Sequence, residues 1–442
     1  MAMTGVEYIE RYPEWRQGLP GKGQAWLAAL REEALRLFGE HGFPTRKVEA
    51  WKYTNLAPLA KDVFAPKATA GKTPAADLPE PFGDLPGHRM VFVNGQFAIE
   101  RQAEKELPKG IRVLPLSEAF CRHPELVKAH LAQAGTPEVT ALLEMNTALI
   151  AEGTVLVIEA GTALEAPLHL VFLATEAAAN AGLHLRNLII LGKGCRANVI
   201  ESYVGKTKAS YWTNAVTEIV LAEGAHLRHY KVQEEGEAAY HTALTLARLA
   251  DRTVYENFAL SLGAELARNE IQVLLDGSGI DCRLNGVHLA RRRQHLDTTT
   301  VIDHLKPGSR SNEIYKSVVD GRAESVFQGK IVVQPDAQKT VAHQLSRTLL
   351  LSDTAQVNAK PELRIHADDV QCSHGASVSE LDALALFYLR SRGISERTAR
   401  SLLTEAFVTE QIEEIGVAPV RELLHRMMAN WLANPRQTSG HP

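Results

Sequence analysis

The stretch LDGSGIDCRL, residues 275–284, sets a tight glycine turn directly before a run that alternates in polarity. Ile280, Cys282 and Leu284 fall on one side of an extended chain, and Asp281, Arg283 and Asn285 fall on the other, because successive residues of a strand point to opposite faces. The same grammar, a turn followed by a β-prone run, recurs in LGKGCRANVI (191–200), LAEGAHLRHY (221–230), KPGSRSNEIY (306–315) and QPDAQKTVAH (334–343). Turn residues stand at Gly194, Gly224, Gly279, Gly308 and Asp336, at intervals of 30, 55, 29 and 28 residues. The long interval spans two repeats, with Leu249, Ala250, Asp251 and Arg252 where the missing turn belongs. One such turn cannot bury its own inner face, so regular recurrence predicts stacked coils whose strands form long sheets. A β-sandwich would turn about every 8–12 residues. The expected fold is mainly β with α: a parallel β-helix, or solenoid, between about Gly153 and Val370.

The flanks read differently. Residues 22–38 carry Trp26, Leu27, Leu30, Ala34, Leu35 and Phe38 at the spacing of one helix face, with Gly39 as the expected stop. GFPTRKVEAWKYTNL follows, broken by Pro44 and anchored by Trp51 and Tyr53. Residues 65–87 are rich in Pro, Ala and Gly, as in an exposed linker. Asn94 and Gly95 between two apolar runs predict a hairpin, and a helical stretch is expected over about 137–150. After Ser377 helical patterning returns in three segments. The first starts from Ser379 as its expected cap and has apolar positions at Leu381, Leu384, Ala385 and Tyr388. The second follows Ser395, and the third has Pro419 in its first turn. The tail PRQTSGHP is expected to fray. The boundaries are therefore 1–87 for an N-terminal helical region and linker, 88–376 for the β-helix core with its leading hairpin and helical stretch to about 150, and 377–442 for a C-terminal helical domain.

Composition narrows the function. The 442 residues carry 48 basic and 52 acidic side chains and a net charge of -4, which gives no electrostatic case for nucleic acid or an anionic membrane. The opening MAMTGVEYIERYPEWRQ predicts neither a secretory signal nor a membrane span, so the chain is expected in the cytoplasm. Cys121, Cys195, Cys282 and Cys372 show no CxxC spacing, and in a reducing compartment a disulfide framework is not expected. Signatures of nucleotide loops, zinc proteases and α/β-hydrolases are missing.

Three histidines, His288, His295 and His304, cluster in sequence, but their spacings of 7 and 9 and the intervening Arg291, Arg292 and Arg293 argue against a shared cation. Cys195 and Cys282 sit in strand-like runs and read as buried small hydrophobes. Cys372 and His374, in QCSHGAS (371–377), differ: they stand where the coils give way to helices, outside any periodic run. As residues i and i+2 of a strand they present one thiol and one imidazole to the same side, about 7 Å apart. Two ligands do not complete a metal site, so further ones must come from elsewhere, and a partner subunit is the natural source.

QCSHGASVSELDALALFYLRSRGIS (371–395) closely resembles the C-terminal signature of the SufD family, scaffold components of the SUF iron-sulfur cluster assembly machinery. GFPTRKVEAWKYTNL resembles that family's N-terminal motif, and NTALIAEGTVLVIEAGTALEAPLHLVFLA and QVNAKPELRIHADDVQCSHGA resemble its core. The resemblance implies a right-handed parallel β-helix between helical ends. It also implies a non-catalytic role in a complex with SufB, a homologous scaffold, and with SufC, an ABC-type ATPase docked on the C-terminal helical domain.

The same resemblance implies that the nascent cluster forms at the SufB/SufD interface, with His374 as the cluster-assembly residue of this chain and Cys372 accessory. No cofactor is then held stably by the chain alone. The iron-sulfur cluster is transient, reduced flavin is a candidate of the assembled complex, and a cysteine desulfurase supplies sulfide indirectly. A homodimer is the alternative state of the isolated chain. SufB is the nearest competing assignment, but its counterpart of this segment carries Glu where Gly375 stands and has an N-terminal cysteine cluster missing here. A β-helix carbohydrate-active enzyme is the rival from another class.

Overall fold

A computed structural model describes residues 5–66, 85–101, 107–132, 134–135, 140–205 and 207–433. Most of the expected linker, the first residues of the expected 137–150 helix and the tail from Pro435 onward lie outside the described residues.

The core is a parallel β-solenoid of eight coils. Each coil contributes one strand to each of two long sheets, so strands alternate between sheets along the chain. Within the coils the first sheet runs from Thr154–Ile158 to Gln356–Ile365, extended at its start by the antiparallel strand Ile111–Pro115, and the second runs from Leu168–Ala174 to Gln371–Glu380. Registers pass unbroken from coil to coil; Tyr255 pairs with Cys282, Cys282 with Ser311 and Ser311 with Ala342. The alternation read in IDCRLNG holds, with Cys282 and Leu284 buried inside the coil and Arg283 exposed.

The recurrent turns are the corners of the coils. Gly194, Gly224, Gly279 and Gly308 all adopt left-handed backbone (φ 69–75°), where a side chain costs about 1 kcal/mol or more. Arg252 fills the skipped repeat with φ 55°. Corners stack by backbone hydrogen bonds: Gly194 N–H donates to Glu223 C=O, Gly224 to Asp251, Arg252 to Ser278 and Gly308 to Gln338. At the next corner the left-handed residue is Lys339 (φ 59°), not Asp336, because Lys339 is the residue whose N–H reaches Asp369 of the following coil.

Helices cover both outer faces. Helices Val6–Trp15 and Ala25–His41 bring Tyr8, Trp15 and Phe38, with Phe43 just past the second helix, into one aromatic cluster with Trp212 of the first sheet. The second helix passes through the expected stop at Gly39, since a Cβ there would lie 2.9 Å from Ile9, and ends at Gly42, whose φ of 61° terminates it. Trp51 of the N-terminal motif lies over the Arg268 guanidinium, 4.0 Å from ring centre. The Asn94-Gly95 hairpin forms as expected, joining His88–Val93 to Gln96–Arg101, and the first of these strands continues the second sheet.

At the other end, helices Glu396–Glu413 and Ala418–Ala433 lay Val408, Ile412, Leu423, Leu424 and Met428 against Ile200, Tyr230, Val232, Phe258 and Leu260 of the second sheet. Lys316, buried on that sheet, donates to the Phe407 carbonyl and to Glu410. Ser395 caps its helix as expected. The preceding helix, Ala383–Ser391, is capped by Asp382 rather than Ser379. Ser379 is held in the last strand, which runs beyond the expected boundary at 376 to Glu380 because Val341–Leu350 supplies a pairing partner along its full length.

Candidate functional site

Both candidate ligands lie on the last strand, Gln371–Glu380, which pairs on one side with Val341–Leu350 and ends its sheet among the described residues. Register fixes where their side chains point. Cys372 stands over Ala342 and His374 over Gln344, so both cap columns whose lower members face the interior. The column below His374 holds, in descending order, Gln344, Glu313, Leu284, Asn257 and His229, all buried. Only the last rung opens this inner face: His374 is exposed and Cys372 partly so. The intervening Ser373 faces the other way and hydrogen-bonds His343 Nδ1 at 2.8 Å.

The two ligands are chemically unequal. Cys372 packs beside Ile331, Val333, Ala337, Ala342 and Ala367, and burial pushes its thiol above the ordinary range, partly offset by a backbone hydrogen bond from Ala342. A metal must displace that proton before the sulfur ligates. The His374 ring stands free of such packing. Among the described residues no three His, Cys, Asp or Glu side chains are arranged to hold a metal ion, so the pair by itself is an incomplete ligand set.

The other sequence candidates separate. His288 hydrogen-bonds Ser325 and Thr298 inside the coil, each at 2.8 Å, and burial lowers its pKa to about 4. His304 bonds Ser311, likewise neutral and lowered to about 4 by burial. His295 lies outside, between Thr54 and Glu324. Cys195 and Cys282 are buried as expected, the first donating to the Glu159 carbonyl and the second with its pKa raised by burial. Cys121 is exposed on the helix Leu116–Arg122.

Two features escaped the sequence reading. One is Glu313, fully buried beneath Gln344, whose pKa burial raises to about 7 although the hydrogen bond from Gln344 works the other way. Its signal was a carboxylate at an inward position of SNEIY. The other is the exposure of one face of the expected helix, now Ala383–Ser391: Leu384 is 79%, Phe387 71% and Tyr388 56% exposed, while Ala385, Leu386 and Leu389 are half-buried.

A solenoid closed along its sides and open at its last rung, with a soft thiol and an imidazole at that opening, defines a β-solenoid protein with an end-on candidate ligand pair. Residues 172–407 match the SufBD core domain of SUF system FeS cluster assembly, and residues 3–170 match the SufBD protein N-terminal region. A SufBD family iron-sulfur cluster assembly protein of Synechocystis is 32% identical over 421 residues, 92% of each chain. The iron-sulfur cluster assembly protein SufD of Escherichia coli is 30% identical over 380 residues, covering 85% of this chain and 86% of its own. A SufBD family protein of Pyrococcus horikoshii is 30% identical over 319 residues, 71% of this chain and 70% of its own. The chain belongs to the SufBD family of iron-sulfur cluster assembly proteins. No helix among the described residues is long and apolar enough to cross a membrane.

Proposed function

We propose that this chain is a scaffold subunit, without turnover of its own, that pairs end-on with a SufB-like homologous scaffold and receives a SufC-like ABC ATPase on its C-terminal helices. The carrying observation is the last coil, where His374 stands exposed above a buried column and the strand edge is open. An open edge strand is a hazard unless a partner covers it. Exposed Ile365 and Val378 at the same end add apolar surface to such a contact.

The nascent cluster is cargo at this interface. His374 supplies the principal ligand from this side. Cys372, with its raised thiol pKa, is accessory, and the partner completes the set. Sulfide arrives from a cysteine desulfurase. The ATPase acts through the unpartnered face of Leu384, Phe387 and Tyr388, and its nucleotide-driven closure shifts the helices against the coils, a two-state element biased by ATP. We place the complex in the cytoplasm, where thiols remain reduced.

The test is His374→Ala in the reconstituted three-protein complex. Cluster yield is expected to drop on the order of 10-fold with the complex still assembled, and Cys372→Ala to cost less. Undiminished yield from an intact complex carrying His374→Ala removes the proposal.

A further inference from the structure

The buried residue directly beneath His374 has one polar atom unpaired, as do Glu313 and Asn257 lower in the same column. Gln344 is 2% exposed, and its Nε2 donates to Glu313 Oε2 at 2.6 Å, yet its Oε1 has no hydrogen-bond partner. A buried carbonyl left unpaired costs about 1–3 kcal/mol, so its retention calls for a cause such as a functional role or a bound water. The amide occupies space that Gly329 of the facing strand makes available: a Cβ at 329 would lie 2.0 Å from Gln344 Nε2. Glu313 lies directly below in register and His374 directly above; the amide nitrogen is committed downward, and the next side chain up the column is the imidazole.

We propose that Gln344, held by Glu313, is a positioning residue for His374: its Oε1 accepts one ring N–H of the imidazole and so fixes which ring nitrogen offers its lone pair at the open end of the solenoid. A neutral imidazole has one donor and one acceptor nitrogen, and the partner of the donor selects the tautomer. Metal-binding histidines as a rule spend their second nitrogen in this way, on a carboxylate, carbonyl or water. The Glu313–Gln344–His374 column places that partner inside the coil, where solvent does not compete for it. This inference rests on the reading of His374 as a ligand, but its geometry is a property of the chain alone.

The experiment is nitrogen NMR of the full-length chain with ¹⁵N-labelled histidine rings at pH 8, the His374 signals being those absent from His374→Ala. One dominant His374 tautomer is expected in the unaltered chain. Gln344→Met, close in volume but without the acceptor, is expected to give a mixture, and Glu313→Gln, which keeps an acceptor for the amide, to retain the single form. In the reconstituted complex Gln344→Met is expected to lower cluster yield on the order of 10-fold. A mixed tautomer in the unaltered chain overturns the proposal without recourse to any variant, as does an unchanged tautomer in Gln344→Met. A locked tautomer that vanishes in Gln344→Met upholds the positioning even if His374→Ala leaves cluster yield unchanged, the result that would sink the ligand reading instead.

Discussion

The strands Asp281–Ala290 and Gln371–Glu380 have the same length, belong to the same sheet and occupy equivalent registers, yet one is mostly buried and the other has no buried residue. Cys282 and Cys372 lie in the same column and differ in the same way. Local sequence makes both strands. What separates them is the coil above and the helices alongside, which the inner strand has and the terminal strand lacks. An inward position becomes core in a middle coil and an exposed side chain on the last one, so stopping the repeat by itself opens an inward column to solvent.

The largest expected effect breaks the contrast from the side. Truncation after Glu380 removes the helices that cover Ile200, Tyr230, Val232, Phe258 and Leu260. Each such side chain contributes about 1.5–3 kcal/mol on burial, and their joint exposure rivals the about 5–15 kcal/mol net stability of a domain. The truncated chain is expected to aggregate and to lose cooperative thermal unfolding. A truncated chain that melts at the full-length temperature would show the coils to be self-sufficient.

Substitution at the two ends of the comparison sharpens it. Leu284→Ala in the sealed coil is expected to cost about 2–5 kcal/mol, read from the urea midpoint, whereas Val378→Ala on the last rung, 52% exposed, is expected to cost less than about 0.5 kcal/mol. Comparable losses would mean that the last coil is packed in solution by a second copy.

A smaller effect follows pH. Glu313 holds its proton in the fold up to about 7, against an ordinary 4.5. The fold therefore binds this proton more tightly than the unfolded chain, and stability declines as pH climbs from about 4.5 to about 7, by about 1.4 kcal/mol for each unit of the raise. Glu313→Gln is expected to flatten this decline; parallel pH profiles for the two proteins would place the carboxyl in a wetter site. Smallest in stability is Phe387→Ser, within about 0.5 kcal/mol because the ring is 71% exposed, while capture of the ATPase in a pull-down is expected to fail.

How far the fold was legible depended on how local its cause was. Left-handed corners require glycine or tolerate a few others, so Gly194, Gly224, Gly279 and Gly308 were visible in the spacing, as was the Asn94-Gly95 turn. Lys339 was hidden, because a lysine in that conformation is chosen by stacking on Asp369. Gly39 looked like a helix stop and instead admits Ile9. Ser379 looked like a cap, but strand pairing claimed it and left the role to Asp382. For the candidate site, the i, i+2 relation of Cys372 and His374 was readable from alternation. Gln344 and Glu313 were not, since their relation to His374 runs across coils about thirty residues apart in sequence.

By itself the sequence determined the coil: its period, its corners, the face each strand residue takes and the helical character of both ends, because turn conformation and side-chain alternation are settled between near neighbours. Tertiary structure alone decided which faces are covered and what stands beneath His374. Burial depends on residues far away in the chain, as when Val408 and Leu424 come to rest on Ile200 and Phe258, and no local pattern records that meeting.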